Sequence, residues 1–395
     1  MNVDTGEQLF RAITERPDDD TPRLIYADWL EENRDADRAH RIRDQIALAN
    51  ASYDDLARST RDYWEWLAFV DNAYPPQPID GLPLQEPVRF WRGFPARFTC
   101  AGMTEFRKFD KEMFGVAPSV YLEFPFPTNP GEKWSQCEYL GRIRGFYIGD
   151  TETSQWPYSV AYDLLSARKL HNLQLLSVSR STNYAMDWSE LILELRHLDK
   201  LEVLRLQECE LDTQSANHLA NLTHRSNLRV LSLGGNQLMD CDLAMLATNP
   251  GFRNLTELHL GHQHTHGPFN VVGLDGLRAI LTSEYLRNLR VLDLSDTALS
   301  EEAIEILAES PSLESLRYLN LSTNAVSARS IEALASSPHS KNLRRLNLEG
   351  NDIGDLAVKA LLDSPRFEEL VELNLTLEWL NPKTMAAVNE RFGLK

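Results

Sequence analysis

Between Leu173 and Leu375 the chain repeats one short apolar phrase, Leu-x-x-Leu-x-Leu. The eight copies begin at Leu173, Leu201, Leu228, Leu255, Leu289, Leu316, Leu343 and Leu370, with spacings of 28, 27, 27, 34, 27, 27 and 27 residues. A fixed period in this range is the signature of a solenoid, in which each turn buries its apolar face against the next. The leucines at positions four and six of each copy alternate as in a strand, so the residues at positions three and five face the other way. A second anchor lies 18 residues after the first leucine, at Leu191, Leu219, Leu246, Leu307, Leu334 and Leu361. Apolar residues three to four places before it, such as Ala303-Ile304 and Ile331, give helical spacing. Each turn is therefore predicted as strand, bend and helix, with Pro250, Pro311, Pro338 and Pro365 ending helices ahead of the next strand. Strands stack at ~4.8 Å and helices at ~10 Å, so the helix side fans out and a parallel sheet lines the hollow of a horseshoe.

Position nine is Cys209, Asn236, Thr297, Asn324 and Asn351 in turn. A small hydrogen-bonding side chain there can satisfy backbone groups that a buried bend leaves unpaired, which makes Cys209 structural and not nucleophilic. Segments 201–211 (LEVLRLQECEL) and 228–238 (LRVLSLGGNQL) resemble leucine-rich repeats, and the repeat length with its helix is similar to the ribonuclease-inhibitor class. That resemblance implies an α/β right-handed solenoid and intracellular protein–protein binding, without naming a partner.

The first ~75 residues carry helical spacing instead. Leu9, Phe10 and Ile13 share a face before Pro17, and Asp18-Asp19-Asp20-Thr21-Pro22 has the form of a helix start. Leu24, Ala27, Asp28 and Leu30 follow, then Ile42, Ile46, Leu56, Tyr63, Trp66, Leu67 and Val70. Five prolines, at 75, 76, 78, 83 and 87, mark a stiff extended connector. Beyond it Phe94, Ala96, Phe98 and Cys100 alternate as a strand, as do Val120, Leu122 and Phe124, and Phe146 and Ile148; Thr104 to Phe114 suits a helix. The expected organisation is 1–75 helical, 76–90 connector, 91–172 irregular capping repeats, and 173–395 solenoid with a C-terminal cap. A separate small α/β domain over 91–172 is the alternative. Glu7–Phe10, Pro17–Asp20, Arg23–Glu32 and Arg38-Ala39 resemble the repeat-companion segment of bacterial proteins, which implies a bacterial origin and an adaptor-like layout but no known reaction.

Charge narrows the partners. Forty Lys and Arg against 58 Asp and Glu leave a net charge of −18, which repels phosphate backbones and anionic lipid and favours basic protein partners. The amino-terminal residues lack a basic region and an apolar core of the secretory kind, and no apolar run approaches the ~20 residues of a membrane helix. Cys100, Cys137, Cys209 and Cys241 are scattered, which suits a reducing cytoplasm.

Candidate chemistry is sparse. P-loop, nucleophile-elbow and zincin motifs are absent, so no enzyme and no cofactor is expected. Asp18-Asp19-Asp20, Asp28 and Glu31-Glu32 fit solvated helix faces better than a cation site, and Trp64, Trp66 and Trp91 fit core or junction packing. The fourth repeat carries seven extra residues between strand and helix, and with them His259, His262, His264 and His266. A metal site, or a metal-dependent hydrolase built on it, is the sharp reading. A polar rim loop of His262, His264 and His266 touching a protein partner is the plainer one, and histidine there would make binding pH-dependent. On the concave face the predicted contact residues are Arg205, Ser232, Glu257, His259, Asp293, Tyr318, Asn320, Arg345, Asn347 and Glu372, with Tyr318, Arg345 and Arg205 as the best anchors. The expected function is non-catalytic scaffolding of a protein partner. A role resembling that of GTPase-activating proteins built on similar repeats is a further alternative.

Overall fold

A computed structural model describes residues 3–17, 19–50, 89–91, 94–100, 103–124, 133–148, 158–179, 188–223, 227–262 and 269–392. The proline connector, residues 51–88 with Trp64 and Trp66, Asp18, and His264 and His266 lie outside them, as does the side chain of Trp91. The chain divides into two compact units, Met1–Ser177 and Val178–Lys395.

The first unit opens with three helices, α1 (Val3–Glu15), α2 (Thr21–Glu32) and α3 (Ala36–Asn50). Asp19 Oδ1 accepts the Thr21 N–H at 2.9 Å, and Thr21, not Pro22, is the first helical residue. The buried face of α2 is Pro22, Arg23, Tyr26, Ala27 and Leu30. Leu24 is exposed, because the buried stripe runs through positions 23, 26, 27 and 30 at helical spacing. Asp28 and Glu31 lie on the polar face and grip Arg43 of α3, each at 2.7 Å. Ile13, Tyr26, Ala27, Leu30, Ala39, Ile42 and Ile46 form one core cluster, and Phe94 joins it.

Phe94 begins β2 (Phe94–Thr99), which pairs antiparallel with β1 (Arg89–Trp91). Beyond it come α4 (Met103–Val116), β3 (Val120–Phe124), β4 (Ile143–Ile148), α5 (Tyr158–Leu165) and β5 (Leu175–Ser179). Strands β2, β3 and β4 pair in parallel, with Phe98 beside Leu122 and Leu122 beside Phe146. All three side chains are fully buried, as the alternation predicts. The interior here is aromatic: Phe106, Phe114, Trp134 and Phe146 meet with ring centroids 5.4–6.3 Å apart. Arg142 closes α4, donating to the Phe114 and Ala117 carbonyls at 2.8 and 2.6 Å and stacking over the Phe114 ring. A cation at a helix C-terminus is favoured by the exposed carbonyl dipoles.

The second unit repeats one motif: α6 (Trp188–Glu194), β6 (Val203–Gln207), α7 (Thr213–Ala220), β7 (Val230–Ser232), α8 (Asp240–Leu246), β8 (Glu257–His259), α9 (Leu274–Thr282), β9 (Val291–Asp293), α10 (Glu301–Glu309), β10 (Tyr318–Asn320), α11 (Ala328–Ser336), β11 (Arg345–Asn347), α12 (Asp355–Asp363), β12 (Glu372–Asn374) and α13 (Pro382–Phe392). Strands β6 to β12 pair in sequence order, all parallel and with equivalent repeat positions side by side. The fold class is α/β, a leucine-rich-repeat-like solenoid of alternating strands and helices with helices at its N-terminus. Leu204, Leu231, Leu258, Leu292, Leu319, Leu346 and Leu373 form one buried row. Burying one such side chain is worth ~1.5–3 kcal/mol.

Polar side chains set the period of this unit. The Asn236 carboxamide oxygen accepts the Cys209 and Leu211 N–H groups, both at 3.0 Å. Its amide donates to the Leu206 and Leu233 carbonyls at 2.8 and 2.7 Å. Asn324 and Asn351 repeat this arrangement between their own turns. Each asparagine thus fastens the bend of one repeat to the bend before it. Cys209 is buried, and its thiol donates to the Gln207 carbonyl at 3.3 Å. At the helix ends Ser337 and Ser364 donate to the Ala308 and Ala335 carbonyls, joining each helix to its predecessor.

Candidate functional site: the outer face of the β8–β12 sheet

The strand register brings the unusual polar residues of the sheet together. His259 ends β8 beside Asp293 of β9, and Glu257 lies two residues earlier on the same face. His259 Nε2 is 3.3 Å from Glu257 Oε2 and Nδ1 is 3.6 Å from Asp293 Oδ2. Burial alone would push the imidazole pKa down, but hydrogen bonds and attraction from Asp293 and Glu257 reverse this and hold it at about 10. Burial pulls the Asp293 carboxyl the other way, yet His259 and the Ser295 N–H and hydroxyl keep it below the usual carboxylate range. At neutral pH His259 is therefore an imidazolium held against the Asp293 carboxylate, with the Glu257 side chain at its other nitrogen.

Further along, Tyr318, Arg345 and Glu372 are neighbours on successive strands, half-buried, with Arg345 Nη1 3.1 Å from Glu372 Oε2. Asn374 Nδ2 reaches Glu372 Oε1 at 3.3 Å. The fifth-position residues have a structural task that the repeat pattern alone did not disclose. Asp293, Asn320 and Asn347 each accept the backbone N–H two residues on, at 3.0–3.1 Å, and so turn the chain out of the strand.

Several predicted contact residues are covered. Arg205, Ser232, Glu257, Asp293 and Asn320 are all at most 9 % exposed. In-register strands stack at ~4.8 Å, so neighbouring side chains on one face shield one another unless they are long or end the row. The accessible part of the predicted surface is accordingly Tyr318, Arg345, Asn347 and Glu372, with His259 partly open.

Of the three rim histidines, His262 is the one within the described residues. His262 does not project: it is 6 % exposed and lies with Glu208 against Gly235, where a Cβ would come within 2.8 Å of its Nδ1. His259 is committed to its two carboxylates. Among the described residues no group of three or more His, Cys, Asp or Glu side chains could hold a metal ion. Burial pushes the Cys100 thiol up to about 12 and Cys137 upward, and the Asp242 side chain raises Cys241, so none of these three is an activated nucleophile.

Two features were missed by the sequence reading. Asn270, seven residues beyond the regular position nine, performs the asparagine task for the irregular repeat, bonding Leu238 N, Leu233 O and Leu260 O. Counting on past the inserted residues would have found it. Beside it Phe269 and Val271 are 45 % and 43 % exposed, and Val271 N–H donates to Leu238 O, which brings it next to the exposed Met239. This apolar rim patch comes from distant parts of the chain, and spacing gave no sign of it.

Comparison with known proteins agrees with the repeat architecture. A leucine-rich-repeat family model matches residues 312–335 and 339–362. No curated protein matches the chain. Among solved structures, an internalin (inlF) from Listeria monocytogenes aligns with 18% identity and a TM-score of 0.31, covering 68% of this chain and 84% of that one. Residues 312–335 and 339–362 thus match leucine-rich repeats, a module typically used to bind proteins, and lie within the run of like strand–helix turns in the second unit.

Proposed function

We propose that the protein binds a protein partner on the outer sheet face of β8–β12, as a non-catalytic scaffold. The observation that carries this reading is the contrast between the two faces of the same strands. Inward, every rung is a fully buried leucine, whereas outward the rungs hold His259, Tyr318, Arg345, Asn347 and Glu372, with charges and one aromatic ring in register. Aromatic and arginine side chains with fixed partners are the usual anchors of protein interfaces. Paired charges of both signs also suit a polypeptide better than a polyanion, which the net charge of −18 would repel.

The exposed Met239, Phe269 and Val271 add apolar area to the binding surface, and His262, His264 and His266 belong to the same proposed rim. The helix in every turn supports a ribonuclease-inhibitor-like class, and the three amino-terminal helices with their Tyr26–Trp29 stack support the repeat-companion assignment. The free cysteines are in keeping with a cytoplasmic setting.

The test is to capture the native partner on the full chain and titrate it against variants. Tyr318→Ala and Arg345→Ala are expected to weaken binding by about 1–3 kcal/mol each, with Lys359→Ala on α12 as the unaffected control. Unchanged affinity in both sheet variants, with the fold intact by circular dichroism, would remove this face from the interface.

A further inference from the structure

A second surface of the solenoid unit has the opposite electrostatic character to the chain as a whole. The residue that opens each strand, at position two of the repeat, is Glu202, Arg229, Thr256, Arg290, Arg317 and Arg344 in turn. Backbone bonds stack these residues rung on rung: Arg229 N–H donates to Glu202 O, Thr256 to Arg229, Arg290 to Thr256, Arg317 to Arg290 and Arg344 to Arg317, the last four at 2.7–2.8 Å. Beside the row runs a groove of about 600 Å³, lined by Arg229, Arg287, Arg290 and Arg317, with Glu202 its one carboxylate. It lies along the strand-start edge, not on the sheet face that bears Tyr318.

Elsewhere in the described structure Arg43, Arg97, Arg329, Arg344 and Arg345 hold ion pairs with carboxylates. Arg229, Arg287 and Arg290 have neither an ion pair nor a side-chain hydrogen bond within the described residues, although acidic residues outnumber basic ones by 58 to 40. Arg317 Nη1 folds back onto the Glu314, Ser315 and Leu316 carbonyls, and Glu369 closes the row at Arg344. Three arginines thus line one groove, Arg229 and Arg290 two rungs apart with Thr256 between them, and none spends its fork-shaped donors on another described residue. Guanidinium forks match carboxylates bidentately.

We propose that this edge groove binds an extended, carboxylate-rich peptide segment of a protein. Five rungs at ~4.8 Å span ~19 Å, which accommodates ~6 extended residues. Successive carboxylates on such a segment recur every second residue along one side, at ~7 Å, within reach of alternate arginines. Single-stranded nucleic acid fits less well. No aromatic side chain lines the groove to stack a base, and a long polyphosphate meets the repulsion of the whole chain, whereas a short peptide meets chiefly the local field.

The experiment is fluorescence anisotropy of a labelled Glu-rich heptapeptide titrated with the full chain, with a Lys-rich heptapeptide and oligothymidylate as competitors. Saturable binding of the Glu-rich peptide is expected, weakening as NaCl rises and falling at least tenfold in the Arg229→Gln/Arg290→Gln double variant. Arg329→Gln on α11 is expected to leave it unchanged. Neither groove guanidinium group has a partner among the described residues, so the double variant is expected to keep its circular dichroism spectrum and melting temperature. Absence of saturable binding, equal affinity in the double variant, or tighter binding of oligothymidylate through the same two arginines would each overturn the proposal. The sheet-face reading is probed by different residues and a different ligand, so the two fail separately.

Discussion

The two units solve one problem, stacking parallel strands, with different chemistry. In the first unit the strands are held over rings: Phe94, Phe98, Phe106, Trp134 and Phe146 are the largest fully buried side chains, and their shapes dictate irregular spacing. In the second, leucines fill each rung and an asparagine ties each bend to the last, so the spacing returns to 27 residues. Aromatic packing is specific to each contact and leaves no repeating text. At Asn236, Asn324 and Asn351 the arrangement uses the same four backbone groups, so it can be copied from turn to turn. That regularity gives the second unit a sheet face on which Tyr318, Arg345 and Glu372 stay accessible in register, and function can be written there.

Substitutions in each unit sharpen the contrast. Phe94→Ala in the first unit is expected to have the largest effect, about 3–5 kcal/mol by large-to-small truncation. Phe94 contacts Phe10, Tyr26 and the guanidinium groups of Arg23 and Arg38, so α1–α3 should become protease-sensitive before the rest of the unit unfolds. Limited proteolysis with mass mapping reads this directly. Retention of wild-type protection over residues 3–50 would show that the helices do not depend on this ring.

Asn236→Ala in the second unit is expected to cost about 3–4 kcal/mol, because two backbone donors and two acceptors lose their partner at a buried bend. Hydrogen exchange should rise at Cys209 and Leu211, one turn away, more than at Asn236 itself. A loss below 1 kcal/mol would mean that the leucines alone set the period.

The smallest expected effect is pH-dependent. The folded pKa of His259, about 10, lies above its ordinary value of 6.5. Its stabilisation is therefore complete below pH 6.5 and is lost as pH rises towards and through 10. Against His259→Gln, the wild type should be more stable by about 2 kcal/mol at pH 6, with the difference shrinking steadily up to pH 10. A pH-independent difference in denaturant titrations would contradict the imidazolium assignment.

The second unit was legible in the sequence because leucine spacing and strand alternation both act over a few residues. Its strands, its helices and the place of the insertion followed from that. What was not legible depends on contacts across turns. Asn320 reads as an outward polar residue, yet its carbonyl oxygen caps its own strand end and its neighbours cover it. His262 reads as a loop ligand, yet the absence of a side chain on Gly235 in the preceding turn leaves the space that receives it. The groove arginines stand just before the strands, outside the alternation that marks inward and outward positions.

Side-chain footprinting by hydroxyl radicals, with and without the captured partner, tests the sheet-face assignment most directly. Tyr318 is expected to become protected, while Leu356 on α12, 82 % exposed, keeps its oxidation rate. Protection of Leu356 with Tyr318 unchanged would place the partner on the helices and contradict a binding surface built on the strands.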